Sequence, residues 1–130
     1  MFTIEVQTSF TASHALHLPE GGTEPRHSHD FLVTARIAAQ HLDALQTVVD
    51  FHAVERFLAG IVAPWQNRHL NDFEPFASTA NPSAERIAER IGKLLLAPIQ
   101  SLEGEGDRGL HLVEVRITEA PGCLAIWSPS

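Results

Sequence analysis

The alternation of apolar and polar side chains near the N-terminus is the tightest constraint on how this chain can fold. In residues 2–10 (FTIEVQTSF), Phe2, Ile4, Val6 and Phe10 share one parity, which continues to Ala12 and His14. A period of two puts such residues on one face of a β-strand. Residues 27–39 (HSHDFLVTARIAA) repeat the pattern, with Phe31, Val33, Ala35 and Ile37 in phase with His27 and His29. Between them, residues 15–26 (ALHLPEGGTEPR) hold two prolines and two glycines without periodicity, which predicts a long loop. Loops of that length inside small domains tend to carry function.

The period then changes. Phe51, Val54, Phe57, Leu58, Ile61 and Val62 recur at helical spacing, with Asp50 as the N-cap and Pro64 as the stop. A loop is expected from Trp65 to Ala80. Residues 81–99 (NPSAERIAERIGKLLLAPI) predict a second helix, capped by Ser83, with Ile87, Ile91, Leu94 and Leu95 on its buried stripe. After a turn-rich connection, Leu110–Glu119 alternates again, with Val113, Val115, Ile117 and Glu119 in phase. CLAIW, following Pro121 and Gly122, predicts a last short strand. The order ββααββ predicts one α+β domain over residues 1–130: a four-stranded antiparallel sheet with two helices on one face. The open edges of such a sheet are a liability unless another subunit pairs with them, so a homo-oligomer is expected.

Composition narrows the function classes. With 44% apolar residues, the chain can bury a core of its own. Sixteen acidic residues against nine basic ones leave a net charge of −7, and Lys93 is the single lysine. No basic surface is available to neutralise phosphates, so no nucleic-acid partner is expected. No apolar run reaches the length of a membrane span, and the first residues lack the basic and apolar regions of a signal peptide. Cys123 is the only cysteine, which excludes an internal disulfide and makes a reducing, cytoplasmic location the expectation.

Eight histidines are informative only through their spacing. His41, His52 and His111 read as surface or packing residues. His27 and His29, two apart on a strand, project side by side and can share a metal ion. A third imidazole from the neighbouring strand, His14 or His17, would complete three corners of a tetrahedron. Three protein ligands with the fourth place open is the arrangement of a catalytic zinc site. The same spacing also suits histidines that cap backbone groups at a strand end, so spacing leaves both readings open.

Short motifs in a fixed order add to this. FTASHAL (Phe10–Leu16) followed by HSHDF (His27–Phe31) resembles the zinc region of the 6-pyruvoyl-tetrahydropterin synthase and 6-carboxy-tetrahydropterin synthase family, F-S-A-S-H-x-L and then H-G-H-x-[YF]. VVDFHAV (Val48–Val54), HLND (His69–Asp72), NPSAERIA (Asn81–Ala88) and VEVRITEAPGCLAIW (Val113–Trp127) resemble further family blocks in the same order. The resemblance implies that His14, His27 and His29 bind Zn2+. It implies that Glu119 anchors a pterin ring, for which a carboxylate accepting two parallel hydrogen bonds is suited. It also implies a tunnelling fold, in which ββααββ subunits assemble into a β-barrel, with homohexamers and sites at subunit interfaces.

The chain departs from the family pattern where protons are moved. Thr23 stands where the lyase-type members have a cysteine, and Gln66 and Asn67 stand where they have an Asp-His dyad. Ser28 replaces the glycine of H-G-H. Glu24, three residues before His27, resembles the base of a family branch that makes 6-hydroxymethyl-dihydropterin, and His69 is the candidate proton donor. Arg26 is the candidate phosphate contact. The function implied is a zinc-dependent pterin-processing enzyme acting on 7,8-dihydroneopterin triphosphate or a relative. The alternatives are a pterin- or purine-binding homologue without catalysis, or a zinc enzyme with another substrate, such as a hydrolase of the GTP cyclohydrolase type.

Overall fold

The alternating N-terminal segments pair with each other in the computed structural model, which describes residues 1–130. Strand β1 (Phe2–His14) runs antiparallel to β2 (His27–Ala39), in register from Phe2 opposite Ala39 to His14 opposite His27. The apolar parities of both strands meet on one face, where the rings of Phe10 and Phe31 stack 5.0 Å apart. Helices α1 (Phe51–Val62) and α2 (Ala84–Ser101) cover that face, and their buried residues join those of the strands in one core. The opposite face carries rows such as Glu5–Arg36–Glu114, the polar side expected of an antiparallel sheet with one face packed. No helix is long and apolar enough to cross a membrane.

Both expected caps form. Asp50 Oδ1 accepts the His52 N–H at 2.9 Å, and Ser83 Oγ accepts the Arg86 N–H at 3.2 Å. Helix α1 ends at Val62, but Pro64 does not stop the coil at once: Ala63–Trp65 continue as a 3-10 turn. The stripe of α2 differs from expectation in one residue. Ile87, Ile91, Leu95 and Ile99 repeat every four residues and are buried, whereas Leu94 falls off that row and is exposed.

The sheet has five strands and is mixed, in the order β3-β1-β2-β4-β5, which corrects the four-stranded antiparallel expectation. The added strand, β3 (Arg68–His69), lies inside the expected loop and runs parallel to β1 beside Ala12 and Ser13. Its docking comes from the two residues before it. Gln66 Oε1 accepts the Thr11 N–H at 3.0 Å, and the Asn67 N–H, from a backbone with φ of 59°, donates to the Thr11 carbonyl at 2.6 Å. A two-residue strand has no period to read.

Strands β4 (His111–Ala120) and β5 (Cys123–Trp127) complete the other side. Here the simple parity fails as well. Arg36 pairs with Glu114 and Ile37 with Leu112, so Val113 is an extra residue in the ladder. Leu112 rather than Val113 therefore joins Val115 and Ile117 in the core. A second irregularity lies between β4 and β5: Thr118 pairs with Leu124 and Ala120 with Cys123, which leaves Glu119 as the bulged residue.

Candidate metal centre

Register brings the three histidines together. His14 ends β1, His27 opens β2 directly opposite it, and His29 sits across from Ala12 two residues on. One nitrogen from each lies within 4.8 Å of the others. His14 Nδ1 is 2.7 Å from the Pro82 carbonyl, and His27 Nδ1 is 3.0 Å from the Pro25 carbonyl. A carbonyl only accepts, so both Nδ1 atoms carry a proton, and it is the Nε2 of the neutral ring that offers a lone pair to a metal. This is the arrangement by which outer hydrogen bonds orient a metal-binding imidazole.

The Nε2 atoms of His14 and His29 are buried and make no hydrogen bond. A buried, unpaired polar atom costs about 1–3 kcal/mol, so the cluster is poorly satisfied as a purely structural feature. Three converging imidazoles with free lone pairs suit Zn2+ and several neighbouring transition metals. Burial holds the His29 imidazole below its ordinary range; His14 and His27 add to that, while Glu119 and Glu24 oppose it. A neutral ring is the form a metal requires. His17, the rival third ligand, is not part of the cluster.

Three carboxylates surround the imidazoles. Glu119, on its bulge, puts Oε1 3.2 Å from His14 Nε2 and 3.9 Å from His29 Nε2. Glu24 Oε1 lies 3.8 Å from His27 Nε2 and accepts the Leu16 N–H at 3.1 Å. Glu85, in the first turn of α2, joins His14, His27, Glu24 and Glu119 around a cavity of 220 Å³. Within NPSAERIA, no sequence signal distinguishes Glu85 from an ordinary acidic residue in the first turn of a helix. Glu119 also borders a larger cavity of 520 Å³, between β2 and β4, whose walls include Ser28, His29, Asp30 and Thr118.

The loop that carries Glu24 is held by side chains acting as backbone partners. Asn71 accepts from the Ala15 N–H at 3.0 Å and donates to its carbonyl at 2.7 Å. Asn81 does the same for His17, at 2.6 and 3.2 Å. Between them, Leu16 is bracketed by Glu24, whose own N–H donates to the Leu16 carbonyl at 3.0 Å. Neither asparagine clamp was anticipated from sequence.

The remaining expected residues lie elsewhere. His69 Nδ1 is 2.9 Å from Ser13 Oγ, and Ser13 alternates with His14, so His69 is on the face of β1 turned away from the cluster. Burial depresses its pKa, as does the nearby charge of Arg26, against the opposing effects of Asp72 and the Ser13 bond. Arg26 lines neither cavity at the histidines. Thr23 bridges to His17, and Gln66 and Asn67 are committed to Thr11.

The family model for 6-pyruvoyl tetrahydropterin synthase matches residues 3–129. The chain is similar to the 6-pyruvoyl tetrahydropterin synthase structure from Caenorhabditis elegans, at 20% identity over 99% of this chain and 96% of that one, with a TM-score of 0.79. It is also similar to the structures from Plasmodium vivax (15% identity, 98% of each chain, TM-score 0.74) and Plasmodium falciparum (17%, 96% of each chain, 0.72). A sequence search of curated proteins finds no significant match.

Proposed function

The chain belongs to the 6-pyruvoyl tetrahydropterin synthase family, and from that membership we propose that it is a zinc-dependent enzyme of pterin processing. Its substrate is 7,8-dihydroneopterin triphosphate or a relative, and its reaction is triphosphate elimination or cleavage of the pterin side chain. The observation that carries this reading is the convergence of His14, His27 and His29, the Nε2 atoms of His14 and His29 being buried and unpaired, beside the carboxylates of Glu24 and Glu119.

When bound by these imidazoles, a divalent ion supplies a Lewis acid that lowers the pKa of side-chain hydroxyls. The chain's own groups do the rest. Pro82 and Pro25 carbonyls fix the tautomers of His14 and His27. Glu119 receives the ring's N–H groups, its carboxylate bordering the 520 Å³ cavity. Glu24 takes a proton from the substrate side chain; the Leu16 N–H holds the carboxylate at the cavity wall, where a general base must sit. Support for a glutamate in this role comes from the Plasmodium vivax relative, two of whose structures are of variants of a catalytic glutamate, to cysteine and to alanine. Arg26 contacts phosphate and His69 donates a proton only if a second subunit brings the substrate to their side of β1. The protein accordingly acts as a homo-oligomer, a hexamer in the family pattern.

The test is incubation of zinc-loaded protein with 7,8-dihydroneopterin triphosphate, with products read by mass spectrometry, beside Glu24→Ala. We expect a zinc-dependent product in the parent protein and at least about a hundredfold loss of rate in the variant. A second reading is favoured by Gln66 and Asn67, which stand at the dyad positions and are bonded to Thr11. On that reading the chain binds the pterin without converting it. Substrate returned unchanged, with ring binding intact, would reject conversion of this pterin and leave either a binding homologue or an enzyme for a different ligand.

A further inference from the structure

Glu119 is placed differently from a residue whose only duty is to hold a ring at a distance. Its Oε1 lies 3.2 Å from His14 Nε2 and 3.9 Å from His29 Nε2, the two nitrogens that are buried and without a hydrogen bond. Donor atoms sharing one tetrahedral zinc at about 2.0–2.1 Å stand ~3.3 Å apart. The contact to His14 has the spacing of a co-ligand, the contact to His29 is about half an ångström longer, and both unpaired nitrogens converge on the same carboxylate oxygen.

The backbone explains how it gets there. Glu119 is the bulged residue of β4, between the pairs Thr118–Leu124 and Ala120–Cys123. Its side chain keeps the parity of Val115 and Ile117, which projects it on the face that carries Phe31 and the histidines. Glu24 provides the internal contrast. Its oxygen is nearest to His27 alone, at 3.8 Å, and is already committed to the Leu16 N–H. Of the two carboxylates, one is free to ligate and one is tied back.

We infer that Glu119 is the fourth ligand of the metal in the ligand-free protein, closing the site as three imidazoles and a carboxylate. This rests on reading His14, His27 and His29 as the metal centre. Were a substrate hydroxyl to take that place on the metal, Glu119 would be released toward the 520 Å³ cavity it already borders. One side chain serves the closed and the loaded site in turn.

The experiment is titration of Co2+ and Zn2+ into metal-free protein against a chromophoric chelator, for the parent, Glu119→Gln, Glu24→Gln and His14→Ala. We expect Glu119→Gln to weaken binding by at least about tenfold and to alter the visible absorption of the Co2+ form. Glu24→Gln should stay within about threefold of the parent, since removing the charge of a neighbour that is tied back to the Leu16 N–H costs less than removing a ligand. Unchanged affinity and unchanged Co2+ bands in Glu119→Gln overturn the inference. If His14→Ala alone loses the metal, the three-histidine centre survives and only the role of Glu119 is rejected. If neither variant changes binding, both readings fall. Infrared difference spectra of the parent, with and without metal, give a check independent of variant folding. A shifted carboxylate stretch on metal loading supports ligation, and its absence overturns it.

Discussion

Asn71 and Asn81 do for residues 15 and 17 what a neighbouring strand would do, each satisfying the N–H and the carbonyl of one residue. Ala15 is buried, so its backbone groups cannot turn to water when the clamp is lost. Asn71→Ala removes two hydrogen bonds and leaves both backbone partners unsatisfied, a cost of about 2–3 kcal/mol. Calorimetry should show a midpoint lowered by roughly 6–12 °C. Protonation belongs to the same scale. His29 and His69 both have pKa values depressed mainly by burial, so the unfolded chain binds these protons more readily than the folded one. Their effect is absent well above pH 6.5 and grows as pH falls from there through the depressed values. Denaturant titrations of metal-free protein should therefore show stability falling as pH drops below about 6.5. A metal-free protein equally stable at pH 5 and pH 8 would contradict this.

Helix α2 illustrates how an element's sequence is shaped by its neighbour. Gly92 sits in the middle of the helix, where alanine would be favoured by ~1 kcal/mol on propensity. A Cβ at this position would run into the Trp127 ring of β5, the strand beside it. Overpacking of that kind costs about 1–3 kcal/mol, and an indole ring that packs across a helix cannot yield as a lysine tip would. Gly92→Ala should lower stability by about 1 kcal/mol, read from the denaturation midpoint at unchanged slope. Asp50→Ala is a useful comparator. It removes only the cap hydrogen bond to His52 and should cost about the same through a different cause. A stabilised Gly92→Ala would mean that Trp127 leaves the helix without penalty.

At the scale of the whole molecule, the sheet ends in two incomplete edges. Beyond β1, β3 covers only Ala12 and Ser13, and at the other side β5 exposes Leu124 and Ile126. Unpaired edges next to exposed apolar residues are surfaces that proteins cover. Sedimentation velocity at micromolar concentration should give a mass several-fold above the 14.3 kDa of the chain. Ile126→Lys, which places a charge beside that edge, should shift the population to smaller species while helical content is kept. A parent protein that sediments as a monomer would reject the oligomer and, with it, any site completed across subunits.

The sequence by itself determined what depends on local period and local chemistry. Alternation set β1 and β2, helical spacing set α1 and α2, and Asp50 and Ser83 marked their starts. It also named the three histidines, although His14 and His17 could not be separated without the order of motifs around them. Only the tertiary structure decided what depends on distant residues sharing an edge or a bulge. The parallel strand β3 exists because Gln66 and Asn67 find Thr11, a pairing no window of sequence contains. Leu112 replaces Val113 in the core because a ladder irregularity breaks the period that parity arguments assume, whereas Glu119 keeps the parity of Val115 and Ile117 and reaches His14 as that parity implies. His69 falls on the far face of β1 for a related reason: its partner is Ser13, one residue from His14 and on the opposite side of the pleat.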